Sequence, residues 1–352
     1  MSRLRILLIA SEAPPRVSGV AKAIGEIADG LRSRGHEVVV FSSADAPGLR
    51  WDRIRFSTAM ARVGAVLDND GPFDIINIHG PSPSISDLAL LRFTKWNRGA
   101  KVVYTHHFSL HFGKWFADLA GRIYELYFRR VARGCDQIIT TTKEYAVPFE
   151  RAGMKVAVIP WGFDQERFSP GERHYSGDDA LRILAVGQFR RYKGMAVAVR
   201  AVLGQPELEL TLVGQGPVLS SVLQQIPTSS ANVHHSGRVS DTDLGQVMRE
   251  HDVILLPSRT RAEAFGIVLL EGMASGCVPV ASSLPGVREV VGSVGVTTKP
   301  GDEASVRNAL LSLARDPEEV ARLRKAAIAW AESFTWERTV EAYETLFQRL
   351  HQ

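Results

Sequence analysis

Two carboxylates, Glu263 and Glu271, stand eight residues apart in the run RAEAFGIVLLEGMASG (261–276). The run follows HDVILLPS (251–258), an apolar stretch that predicts a strand ending at Pro257. Past it, Gly266 opens IVLLEGMA, which predicts a helix. One carboxylate is thereby placed in the loop at the mouth of a helix and the other about a turn and a half inside it. A helix N-terminus presents unpaired N–H groups and a partial positive charge, so it attracts phosphate. Carboxylates at such a place suit hydrogen bonds from the hydroxyls of a sugar or a ribose. Taken alone, the pair reads equally well as two solvated glutamates supporting a helix start.

Cations and histidines extend the set. Lys193 lies in AVGQFRRYKG (185–194), after a strand-like run ending at Gly187 and before a helix-like one. A lysine there reaches a diphosphate through a charge-assisted contact worth about 1.5–3 kcal/mol. In VVYTHHF, His106 and His107 fall just past a strand end, where a parallel sheet opens its ligand crevice. Lone histidines are more often structural. Val17, Ser18 and Gly19 occupy the loop between the first strand and its helix, and a glycine there is common for conformational reasons alone.

The elements that must position these groups alternate strand and helix twice. RILLIA (5–10), HEVVVFS (36–42), FDIINIH (73–79), KVVYTH (101–106), DQIITTT (136–142) and AVIP (157–160) form one series of strands. LRILAVG (181–187), LELTLVG (208–214), VHHSG (233–237), VILLP (253–257) and VPVAS (278–282) form the second. Continuous apolar runs separated by helical spacing predict parallel βαβ units. The fold class is therefore α/β, with two Rossmann-like domains joined near PWGFDQERFSPGE (160–172).

A chain of 352 residues, 45% hydrophobic and 23% charged, has the composition of an ordinary water-soluble globular protein. Its longest apolar runs are of strand length, so no membrane span is expected, and the short apolar stretch at the N-terminus does not read as a signal peptide. Two cysteines suit a reducing compartment and give no metal spacing. The net charge of +4 conceals an asymmetry: residues 1–163 hold 22 Lys and Arg against 15 Asp and Glu, and the remainder hold 20 against 23. The basic half suggests an anionic partner, such as a phosphate-bearing acceptor or a membrane surface. Nucleic acid is disfavoured, since the basic residues are scattered.

Other motifs carry less. Asp68-Asn69-Asp70 spells a metal signature, but it precedes Gly71-Pro72 in a polar stretch and reads as a turn. Gly214-x-Gly216 lacks the third glycine and the acidic residue of a dinucleotide fingerprint. KWFADLAGRIYELYFRRVAR (114–133) mixes aromatic and basic residues as a membrane-interface helix does. The plainer reading has Leu119, Ile123 and Leu126 facing a core and the arginines solvated, and this reading is preferred.

Read in order, VIPWGFDQERFSP, AVGQFRRYKG, LVGQGP, VILLPS, EAFGIVLLEGMASGCVPVAS and LPGVREVV resemble the retaining, nucleotide-sugar-dependent glycosyltransferases of family four. The resemblance is strong over residues 155–295. It is looser before that, resting on SGVAKAIGEIADGLRSRGHEVVVFS and VVYTHHF. It implies the GT-B architecture, with Rossmann-like domains at 1–163 and 164–335 facing across a cleft and a final helix (336–352) crossing back to the first. It implies that Glu263 binds the donor sugar hydroxyls and Glu271 the ribose. Phe265, Gly266 and Ile267 then meet the diphosphate through their backbone, Lys193 stabilises the leaving group, and His107 contacts the transferred sugar. The family's usual arginine after the glycine is replaced here by Gln188, leaving Arg190 or Arg191 to supply that cation. Its usual pair of glycines near the N-terminus is reduced to Gly19. No metal or other cofactor is expected.

The implied partners are a nucleoside-diphosphate sugar and a glycan or lipid-linked acceptor, in the cytoplasm or on the inner face of the plasma membrane. RRYKG and VVYTHHF are similar to bacterial enzymes of surface-polysaccharide or lipid-linked glycan assembly, many of which use GDP-mannose or a related GDP-sugar. Two other readings stay open: a sugar-nucleotide 2-epimerase on the same fold, and a non-catalytic nucleotide-sugar binder.

Overall fold

The apolar runs become buried strands. β1 (Arg5–Ala10) has five of its six residues buried, and β5 (Ile75–Gly80) has all six. The computed structural model describes residues 2–15, 18–42, 48–51, 54–57, 63, 71–95, 99–108, 115–240 and 242–352. The chain divides into two units, Met1–Trp161 with Trp336–Gln352, and Gly162–Thr335.

In the first unit, β1 and β5 join β2 (Glu37–Ser42), β6 (Lys101–His106), β7 (Gln137–Thr140) and β8 (Val156–Val158). They form one parallel sheet in the order β2-β1-β5-β6-β7-β8. Both faces are covered, which is why its strands read as continuous rather than alternating apolar runs. On one face Leu7, Ile9, Ile78 and Tyr104 pack with Leu90 and Phe93 of the helix Ser86–Lys95 and with Phe128 and Ala132. On the other, Ile6, Leu8, Val103 and Ile139 pack with Ile27 and Leu31 of the helix Gly19–Ser33 and with Tyr343 and Phe347.

Tyr343 and Phe347 belong to the last helix, Trp336–His351. That helix lies so close to Gly19–Ser33 that a Cβ at Gly30 would overlap Val340. A polar clasp adds to the apolar contact. His36 Nδ1 accepts from the Leu4 N–H at 3.1 Å, which leaves the ring proton on Nε2, 3.0 Å from Glu344 Oε1. Arg34 holds the other Glu344 oxygen at 2.9 Å. Burial works to raise the Glu344 carboxyl, but the bonds from His36 and Arg34 outweigh it and hold the group below its ordinary range.

Two short strands, β3 (Gly48–Trp51) and β4 (Ile54–Ser57), pair antiparallel. Their four-residue length and mixed polarity left no mark in the sequence pattern.

In the second unit, β9 (Leu181–Val186), β10 (Leu208–Val213), β11 (Val233–His235), β12 (Val253–Leu256), β13 (Val278–Ser282) and β14 (Val296–Thr298) form a parallel sheet in the order β11-β10-β9-β12-β13-β14. β14, only three residues long, is the strand that the sequence pattern did not suggest. The chain builds outward from β9 on one side, then returns to place β12 on the other. Strand order therefore reverses between β9 and β12, and the loops leaving their carboxyl ends diverge to open a ligand crevice.

Candidate functional site

Lys193 and Glu263 meet at that reversal. After β9 the chain passes Gly187, Gln188 and the fully buried Phe189 into a single 3-10 turn, Arg191–Lys193, closed by Gly194. Gly194 has φ +73°, and a Cβ there would collide with the Pro257 carbonyl, so only glycine lets this turn approach the loop after β12. The Arg259 N–H donates to Tyr192 O at 2.7 Å and completes the junction. Lys193 Nζ then lies 2.5 Å from Glu263 Oε2, and Ser258 Oγ donates to the same oxygen at 3.2 Å. The two side chains are 16% and 10% exposed, enough shelter to strengthen the attraction while leaving a path to solvent.

The helix that follows, Ile267–Ala274, begins at Gly266 with φ +81°, again a backbone that favours glycine. Seven of its eight residues are buried, and a Cβ at Gly272 would overlap Ile254 of β12, so helix and strand touch directly. Glu271 is one of the buried seven, at 8% exposure, a carboxylate on an otherwise apolar helix. Phe265 and Ile267 are buried beside Gly266. The first N–H groups of such a helix have no carbonyl partner within it. The loops after β9 and β12 thus bring a cation and two carboxylates to one helix N-terminus.

Gln188 is exposed, and its Oε1 accepts from Arg190 Nε at 2.9 Å. Arg190 is therefore the cation tied to Gln188, whereas Arg191 is an exposed residue of the 3-10 turn. Gly19 is not a loop residue. It is the first residue of the helix Gly19–Ser33, capped by Ser18, whose Oγ accepts from the Ala21 N–H at 3.1 Å. Ser18 Oγ also donates to Glu12 at 2.6 Å, so an acidic group past the end of β1 stands at this helix start. Val17 and Asp68–Asp70 lie outside the described residues.

His107 lies just past β6 and is buried, at 1% exposed. Its Nε2 is 2.9 Å from Nδ1 of His79, at the end of β5, and the Trp161 ring is 5.2 Å away. Burial holds both imidazoles neutral, pushing His79 down to about 3 and His107 well below its ordinary range. His106 faces the other side of the sheet among Tyr145 and Phe149 and is likewise pushed down to about 3 by burial. Sequence reasoning passed over His79 and Ser258. The signal for His79 is the one that points to His106 and His107, a histidine at the carboxyl end of a parallel strand.

The helix Trp115–Ala132 corrects the core-facing expectation. Leu119, Ile123, Leu126 and Tyr127 are 52%, 60%, 58% and 46% exposed, and Phe128 and Ala132 make the core contact instead. Arg122, Arg130 and Arg133 are exposed with the apolar residues, while Arg129 is half-buried and donates to Glu125 O at 3.3 Å. Among the described residues, no helix is long and apolar enough to cross a membrane.

Two Rossmann-like units, each built on a six-stranded parallel sheet, make up the GT-B fold. The profile of glycosyl transferases group 1 matches residues 171–330, and that of Glycosyltransferase Family 4 matches residues 17–167. The chain belongs to the family-four glycosyltransferases. It is 27% identical to the phosphatidyl-myo-inositol mannosyltransferase of Mycobacterium tuberculosis, over 93% of each chain. It is 26% identical to a D-rhamnosyltransferase of Pseudomonas aeruginosa, over 91% of this chain and 89% of that one. Among solved structures, sucrose-phosphate synthase from Thermosynechococcus elongatus superposes over 99% of both chains with a TM-score of 0.80 at 18% identity. HepE from Anabaena in complex with UDP and glucose gives 0.73 at 18% identity, over 98% of this chain and 99% of that one.

Proposed function

We propose that this glycosyltransferase transfers a sugar from a nucleoside diphosphate to an acceptor hydroxyl with retention of anomeric configuration and without a metal ion. The observation that carries the reading is the meeting of Lys193 and Glu263 at the strand-order reversal, beside the helix N-terminus that also bears Glu271. An incoming diphosphate competes with Glu263 for the Lys193 ammonium, and the helix start adds N–H donors to the same anion. Released from Lys193, Glu263 accepts hydrogen bonds from the donor sugar, while Glu271 accepts them from the ribose. Charge growing on the departing phosphate is met by Lys193 and the helix N–H groups. That oxygen takes the acceptor's proton as the new glycosidic bond forms on the same face, so no carboxylate need attack the sugar, as it does in retaining glycosidases.

The sugar is mannose in this reading, because several similar proteins are named mannosyltransferases, and the guanosine diphosphate carrier follows from the resemblance of RRYKG and VVYTHHF to enzymes that use GDP-sugars. A lipid-linked or glycolipid acceptor fits the first unit. Its helix Trp115–Ala132 offers Leu119, Ile123, Leu126 and Tyr127 with Arg122, Arg130 and Arg133, a combination that suits an anionic membrane surface on the cytoplasmic side. A thermal-shift panel of UDP-, GDP-, ADP- and dTDP-sugars tests the donor, since a bound donor raises stability by RT ln(1 + [L]/Kd). NMR of a single nucleotide sugar incubated without acceptor separates transfer from 2-epimerisation. Donor binding without turnover under any acceptor would leave a non-catalytic binder.

A further inference from the structure

The carboxyl edge of the first unit's sheet carries a histidine pair in which the transfer reading gives a role to His107 alone. Register pairs His79 with Thr105, so the side chains of Asn77, His79 and Thr105 share one face, and His107 follows on in the same alternation. Thr105 Oγ1 donates to Asn77 Oδ1 at 2.9 Å. The His79 and His107 rings are nearly parallel, at 16° with centroids 5.1 Å apart, and a single hydrogen bond joins Nδ1 of the first to Nε2 of the second. The outer nitrogens, His79 Nε2 and His107 Nδ1, are buried and have no hydrogen-bond partner among the described residues.

A neutral imidazole has one N–H and one lone pair. The shared bond consumes one of each, so the two outer nitrogens must differ: one is a donor and the other an acceptor. In one arrangement His107 Nε2–H donates to His79 Nδ1, and both rings adopt the Nε2–H tautomer that neutral histidine intrinsically favours. The reverse arrangement forces both rings into the disfavoured form.

We propose that His79 is a positioning residue that holds His107 as its Nε2–H tautomer and leaves His107 Nδ1 as a bare acceptor for a hydroxyl of the transferred sugar. The ligand half of this rests on the reading of His107 as the residue that meets the sugar. The tautomer half stands on the geometry of the shared bond and on the intrinsic preference of neutral histidine. Trp161, 5.2 Å from the His107 ring, limits the ring's freedom to turn away from this register.

NMR of unliganded protein labelled with 15N at histidine tests it, with His107 assigned by loss of its signals in His107→Gln. The expected spectrum shows His107 Nδ1 unprotonated and Nε2 protonated, in one tautomer. His79→Leu gives a mixture of tautomers with the circular dichroism of the native fold, and His79→Asn, whose Oδ1 replaces the lost acceptor, restores the single form. A protonated Nδ1 in the wild type overturns the proposal, as does an unchanged tautomer in folded His79→Leu. Should the leucine variant not fold, the wild-type and asparagine spectra still decide. With GDP-mannose as probe and released GDP as readout, His79→Leu lowers kcat by about 10- to 100-fold, the scale of a misplaced contact group, and His79→Asn recovers it. Full activity in His107→Ala would remove the sugar hydroxyl from the proposal and correct the functional reading of His107. Loss in His107→Ala beside full activity in folded His79→Leu would remove His79.

Discussion

Lys193 and Glu263, 70 positions apart, form a direct ion pair with Nζ 2.5 Å from Oε2. The two residues proposed to handle the leaving group and the sugar thus neutralise each other before any donor arrives. The pair costs little specificity, because a diphosphate offers the ammonium more negative charge than one carboxylate does.

Glu263→Ala is expected to abolish transfer, by about 100-fold or more in kcat, while the Kd of free nucleoside diphosphate changes by less than about threefold or tightens, since its competitor for Lys193 is gone. Isothermal titration beside a turnover assay checks both. Nucleotide affinity collapsing together with turnover would show that Glu263 holds the nucleotide and not the sugar.

Glu271→Ala is expected to weaken binding of the nucleotide itself. Loss of charge-assisted hydrogen bonds worth about 1.5–3 kcal/mol corresponds to about 10- to 150-fold in Kd. Titration with the free nucleotide reads this without any acceptor, and unchanged affinity would move the ribose elsewhere.

Stability is expected to fall as pH drops below about 6.5. His79 and His106 are pushed down to about 3 in the folded protein, so between the ordinary histidine range and that value only the unfolded chain takes up the proton. Each ring then removes up to about 1.4 kcal/mol per pH unit. Glu344, held below its ordinary range, adds its loss at lower pH still, as the carboxyl protonates and releases His36 and Arg34. Urea unfolding at pH 7.5, 6.5 and 5.5 measures the slope. A flat profile would mean that the buried rings accept protons without unfolding.

Vesicles test the exposed helix. The protein is expected to sediment with anionic vesicles at low salt and to release as ionic strength rises, because screening acts over about 10 Å at 0.1 M. Arg122, Arg130 and Arg133 changed together to Gln should abolish binding, and Leu119, Ile123 and Leu126 changed to Ser should weaken it at every salt concentration. Nucleotide binding stays intact in both. No sedimentation at any ionic strength would favour a soluble acceptor.

Phe347→Ala is expected to cost about 3–5 kcal/mol, the scale of a large buried ring removed from a core. Thermal unfolding measures it. A cost under 1 kcal/mol would mean that the last helix contributes little to the first unit's core.

The strands were legible because a parallel sheet covered on both faces demands unbroken apolar runs, and β1, β6, β9 and β12 all stand where those runs lie. Gly266 with the apolar octet after it was equally plain, since a helix start needs a local signal and this one has it. These features arise from interactions between near neighbours in the chain, so residue order alone carries them. The pairing of Lys193 with Glu263 is of another kind. It depends on β12 lying beside β9, and on Gly194 passing close to the Pro257 carbonyl. The His79–His107 bond likewise needs β5 and β6 side by side. The helix Trp115–Ala132 marks the limit most clearly. It carries apolar residues on two faces, Leu119, Ile123 and Leu126 on one and Phe128 and Ala132 on the other. Helical periodicity accepts either face as the buried one, and only packing against Leu90 and Phe93 selects the second and turns the first to solvent.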